Sequence, residues 1–148
     1  MANSTQYSRL FTINEANALL PTVRPLVEAV LESIRRLRAK SEVVIRARDL
    51  DPDAPDLMER LQEDGEIARL IKGLRARVDE INSYGCVCKG AEQGLIDFPC
   101  MIANEVVFLC WQIGEPSVSY WHRIEDGFAG RRPLLDPSEN DPGSTSLH

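Results

Sequence analysis

The stretch Leu95-Ile96-Asp97-Phe98-Pro99-Cys100-Met101-Ile102-Ala103-Asn104-Glu105-Val106-Val107-Phe108-Leu109-Cys110-Trp111-Gln112-Ile113 decides the fold class. Its apolar runs are rich in β-branched and aromatic residues and are divided at Ala103-Asn104, so they read as two strands, Leu95–Ile102 and Val106–Ile113. Gly114-Glu115-Pro116 supplies a second turn, and Val118–Ile124 reads as a third strand. A two-residue turn at Ala103-Asn104 sets Asp97 opposite Cys110; a three-residue turn at 114–116 sets Cys110 opposite Tyr120 and Phe108 opposite His122. One face of this antiparallel meander then carries Ile96, Phe98, Val107, Leu109, Trp111 and Trp121 and is expected to cover helices. The other carries Asp97, Phe108, Cys110, Gln112, Tyr120 and His122.

Upstream of Gly85 the period changes from 2 to 3.6. Thr12-Ile13-Asn14-Glu15 is a capping box, and Pro21 and Pro25 predict a short helix to Leu20 followed by a longer one from Thr22. Val23, Val27, Val30, Ile34, Leu37, Ser41 and Val44 then step by four and three, the spacing of a helical seam. Asp51-Pro52-Asp53-Ala54-Pro55-Asp56 marks the tip of a hairpin, and Leu57 to Ile81 forms a second apolar stripe interrupted at Asp64-Gly65. Each arm would run about 28 residues, or about 40 Å. Two such stripes leave one seam to complete, which predicts a homodimer through the hairpin. The expected fold is therefore α+β: a long antiparallel helical hairpin preceded by a short helix, packed with a three-stranded meander. Residues 1–134 form one domain, with 11–83 helical, 94–124 the meander and 125–134 a Gly/Arg loop. Residues 135–148 have little to bury and read as a disordered tail.

The 148 residues carry a net charge of −6, with 13 basic against 14 acidic groups up to Ser83 and 4 against 9 beyond it. Neither half is a phosphate trap, so nucleic acid is not an expected partner. The Arg-rich run from Arg35 to Arg48 is interleaved with acids and reads as a solvated helix face. With no long apolar span and a polar Met1–Leu10, no membrane partner is expected and the chain is placed in the cytoplasm. Cys86, Cys88, Cys100 and Cys110 are then thiols. Cys86-Val87-Cys88 lacks the second ligand pair of a structural zinc site, and Cys110 reads as packed core. Of the nine aromatic residues only Tyr7 and Phe11 precede Tyr84, so recognition chemistry is sought after it.

His122 is the one histidine besides His148. Four roles stand open for it: a satisfied structural residue, a general base oriented by Asp97 or Glu125, one ligand of an oxygen-rich divalent metal site completed by Asp97 and Glu115, or a contact with another subunit. Asp97, Glu115, Tyr120, His122, Glu125 and Arg131 form the candidate ligand-binding set. Gly127-Phe128-Ala129-Gly130 followed by Arg131-Arg132 suits a small anion, although it is neither a Walker loop nor a dinucleotide fingerprint. No nucleophile elbow surrounds Ser33, Ser41 or Ser83. No motif names a reaction. A second reading makes the chain a non-enzymatic interaction module, in which these residues support the fold and Arg131 pairs with Glu115.

Phe11-Thr12-Ile13-Asn14-Glu15-Ala16-Asn17-Ala18-Leu19-Leu20-Pro21, Gly94-Leu95-Ile96-Asp97-Phe98-Pro99, Leu109-Cys110-Trp111, Gly114-Glu115-Pro116 and Tyr120-Trp121-His122 through Asp126-Gly127-Phe128-Ala129-Gly130-Arg131 together resemble an uncharacterised bacterial family, domain of unknown function 2203. The resemblance spans about residues 10–134. It implies a cytosolic bacterial single domain and places Asp97, Trp111, Glu115, Trp121, His122, Gly127 and Arg131 in a shared motif. Cys86, Cys88 and Cys100 lie outside that pattern, and Ala103-Asn104 stands where the family commonly has glycine.

Overall fold

A computed structural model describes residues 7–134; the tail expected to be disordered, 135–148, lies outside the described residues. The α+β class holds, but both layers differ in detail from the expectation. Helix α1 spans Ile13–Ala47 without interruption. Its start follows the capping box: Glu15 N donates to Thr12 Oγ1 at 3.1 Å and Thr12 N donates to Glu15 Oε1 at 2.9 Å. Pro21 and Pro25 lie inside it, so no separate short helix precedes the long one. The reason is packing: both prolines are exposed, while Leu20, Val23, Val27 and Val30 on the opposite side are buried. The helix loses two ladder bonds on its water side and keeps its buried stripe, which outweighs the local cost.

The return arm is divided. Helix α2 covers Leu57–Leu61, and α3 restarts at Gly65 and runs to Ser83. The restart is set by Asp64, whose Oδ1 accepts from Glu66 N at 3.0 Å and Ile67 N at 3.1 Å, satisfying amides that a helix start otherwise leaves unpaired. Ile67 and Ile71 meet Val44 and Leu61 near the hairpin tip in a small cluster of their own. No helix among the described residues is long and apolar enough to cross a membrane.

The sheet has five strands rather than three, in chain order and antiparallel throughout: β1 Val87–Gly90, β2 Leu95–Ile102, β3 Glu105–Gln112, β4 Tyr120–Arg123 and β5 Arg132–Pro133. The central register agrees with the sequence reading, with Asp97 opposite Cys110, Phe108 opposite His122 and Cys110 opposite Tyr120. The inward face, Ile96, Phe98, Val107, Leu109, Trp111 and Trp121, packs into the main core with Val23, Val27 and Val30 of α1 and Ile81 of α3. The added strands are flanks: β1 carries an irregularity between Cys88 and Gly90, and Pro133, with no amide N–H to donate, stands in the edge strand.

The β2–β3 turn holds Ala103 at φ 50° and Asn104 at φ 65°, the left-handed pair of a type I′ hairpin. Asparagine tolerates that region; alanine pays for its Cβ there. Ala103→Gly is therefore expected to stabilise the protein by about 0.5–1 kcal/mol, the relief of strain exceeding the added freedom of the unfolded chain. Urea unfolding checks this; a lower midpoint in the variant would contradict it.

Candidate functional site

The outward face of β2, β3 and β4 brings together three side chains of different chemistry. Asp97 and Cys110 face each other across β2 and β3, and His122 stands one diagonal step from Cys110 on β4, within side-chain reach. One donor atom from each lies within 4.8 Å of both others, and all three residues are buried. Asp97 and His122, each 3% exposed, are the two buried polar or charged residues among those described. Burial of that kind is costly unless the groups satisfy one another.

His122 is held at both nitrogens. Its Nδ1 lies 2.7 Å from the Arg123 carbonyl oxygen, which only accepts, so Nδ1 carries a hydrogen. Nε2 lies 3.2 Å from Asp97 Oδ1. Burial works against a charge on the ring, but hydrogen bonding with Asp97, Cys110 and the Arg123 carbonyl, together with the Asp97 charge, outweighs it and raises the imidazolium to about 10. In a nucleophilic triad the base has its acid on one ring nitrogen and its nucleophile on the other. Here Asp97 occupies Nε2 and a backbone carbonyl occupies Nδ1, so Cys110, His122 and Asp97 do not form that relay. A ring nitrogen tied to a carbonyl, with the other presented to neighbouring donors, is instead how metal-binding histidines are oriented.

The cluster opens on a cavity of about 160 Å³, whose wall includes Lys89, Leu95, Ile124, Gly127 and Phe128 as well as Asp97, Cys110 and His122. The other expected residues are placed differently. Glu115 closes the β3–β4 turn: its Oε1 accepts from Gln112 N at 2.9 Å and from Arg131 Nη2 at 2.7 Å. Arg131 Nη2 also donates to the Cys110 carbonyl at 3.1 Å, and its guanidinium lies 4.1 Å from the Tyr120 ring and 4.8 Å from that of Phe128. The Glu115–Arg131 pair thus braces the strand that carries Cys110. Tyr120 also lines a separate cavity of about 390 Å³ with Asn17, Ser117 and Ser119. Glu125 is exposed on the turn after β4.

Two residues of the site were not in the expected set. Cys110 reads as core from its apolar neighbours, yet strand parity alone puts it on the face of Asp97. Lys89 belongs to β1, a strand of four residues ending in glycine that carries little β propensity. The remaining cysteines stand outside the cluster: Cys86 donates its thiol to the Ile81 carbonyl, and burial pushes Cys86 to about 11 and Cys100 to about 12. Such thiols are poor nucleophiles.

No curated protein and no solved structure matches the chain. A family model does, over residues 9–134, which include every element of the fold and the whole Asp97–Cys110–His122 cluster, and the chain accordingly belongs to the family described as uncharacterized conserved protein, DUF2203.

Proposed function

We propose that this domain binds a divalent transition-metal ion, zinc foremost, through a carboxylate oxygen of Asp97, the sulfur of Cys110 and Nε2 of His122. The observation that carries the reading is the convergence of three buried donors, O, S and N, beside a cavity. Ligand atoms around tetrahedral zinc stand about 3.3–3.8 Å apart, as follows from bond lengths of about 2.0–2.3 Å. The separation of 3.2 Å between Asp97 and His122 already approaches that, and the 4.8 Å limit on the cluster leaves a small inward adjustment. Sulfur and imidazole together favour zinc over magnesium or calcium. The ion replaces the protons of Cys110 and of His122 Nε2, so loading releases protons. Three protein ligands leave one coordination position for a small molecule, the pattern of sites where a metal polarises a bound group. The interaction-module reading fits Glu115 and Arg131, which hold each other, better than it fits a buried trio facing a cavity.

Metal analysis of the purified chain should find zinc near one equivalent, and cobalt substitution should give the charge-transfer absorption of a bound thiolate. Cys110→Ser should remove that absorption and weaken zinc by at least about 100-fold, beyond the 10–100-fold typical of losing a residue that only orients a ligand. Cys88→Ser is the control and should keep both. A chain that binds neither ion, or in which Cys110→Ser changes nothing, overturns the reading.

A further inference from the structure

We infer that the cavity beside Asp97, Cys110 and His122 takes a small monoanion, a short-chain carboxylate, whose charged end is held by Lys89. The inference rests on the metal reading of the same cavity for the open coordination position, but its anion-holding residue is a separate one. Lys89 lines the cavity, and its Nζ stands 4.9 Å from the centroid of the Phe108 ring. That ring lies edge-on to His122 with centroids 5.6 Å apart, so Phe108 is the shelf between the lysine and the cluster. Among the described residues no carboxylate forms an ion pair with Lys89, although Glu115, Glu105 and Glu92 are each engaged by an arginine.

With a divalent ion bound, the Asp97 carboxylate and the Cys110 thiolate neutralise it, and Lys89 remains as the one basic side chain among the described residues lining the cavity. That lysine makes the cavity wall complementary to a negative charge. Leu95, Ile124 and Phe128 offer apolar surface for a carbon chain. A water takes about 30 Å³ in the liquid, so a cavity of about 160 Å³ admits a ligand the size of propionate. A lysine suits this role as a point charge on a flexible stem, half-committed to an aromatic face that holds it in place without neutralising it.

Propionate and its uncharged isostere propionamide are the probes, titrated into isotopically labelled full-length protein with and without zinc and followed by amide shifts at Gly90, Gly127 and Phe128. Propionate is expected to bind at least about tenfold more tightly than propionamide. Lys89→Gln should abolish that tenfold preference and Lys89→Arg should keep most of it. Lys89 is exposed, so the variants should fold like the parent. Equal binding of the two probes, or an unchanged preference in Lys89→Gln, overturns the inference even if zinc loads normally. Failure to load zinc with the preference intact overturns the metal reading and leaves the anion site supported.

Discussion

Replacing Asp97 by alanine is expected to destabilise the metal-free protein by about 3–5 kcal/mol near pH 6, the cost of leaving a buried charge without its partner. Asp97 and His122 are both nearly inaccessible to water, and their contact of 3.2 Å is what lets the imidazolium persist there. The pH dependence follows from the direction of the shift. His122 titrates at about 6.5 when unfolded and at about 10 when folded. A raised folded value means that the contribution is complete below about pH 6.5 and is lost as the pH rises through about 10. Urea melts of wild type and Asp97→Ala should therefore lie closer together near pH 9 than near pH 6, with part of the gap remaining until the pH passes about 10. A variant that matches wild type near pH 6, or a gap that widens with pH, would show that Asp97 does not hold this proton.

Trp111→Ala should cost about as much by a different route. Trp111 is fully buried at the centre of the inward face and donates from Nε1 to the Glu115 carbonyl at 3.0 Å. Truncation removes one of the two buried tryptophans of that layer and opens a cavity that the sheet and α1 cannot both collapse into, at about 3–5 kcal/mol. It also takes the donor away from the turn that Glu115 closes. At about 2–4 °C per kcal/mol for a domain of this size, the melting temperature should fall by about 6–20 °C. Trp111→Phe should fall by much less. A shift under about 3 °C in the alanine variant would mean that the core is looser than its burial indicates.

The parts of the fold that were legible in the sequence are those where one local rule acts alone. Strand parity is such a rule: once the turns at Ala103-Asn104 and at 114–116 set the pairings, residues 97, 110, 120 and 122 share a face, and the structure pairs them so. The capping box at Thr12 is another. Structure departs from the local signal where tertiary packing overrides propensity. Pro21 and Pro25 locally favour a break, but the stripe beneath them does not fray when two solvent-side bonds are missing. β1 and β5 are too short to announce themselves and exist because β2 and β4 offer unpaired edges. Asp97 and His122 could be placed in the site from sequence because register puts them there. Glu115 stands on a turn adjoining that face, and the structure places its carboxylate on Arg131 instead. The role of Cys110 depends on which face a thiol occupies, information held in pairing rather than in residue type.

The strand order has a consequence during synthesis. Every strand neighbours its successor in the chain, so the sheet closes only short loops and should form quickly once it is complete. The helices, however, are made first. Val23, Val27 and Val30 leave the ribosome roughly 80 residues ahead of Trp111, the side chain that helps to cover them, and at about 5–20 residues per second that interval is about 4–16 s. For that time the nascent chain has only α3 to lay against the apolar stripe of α1, and the surface that the sheet will cover stays open.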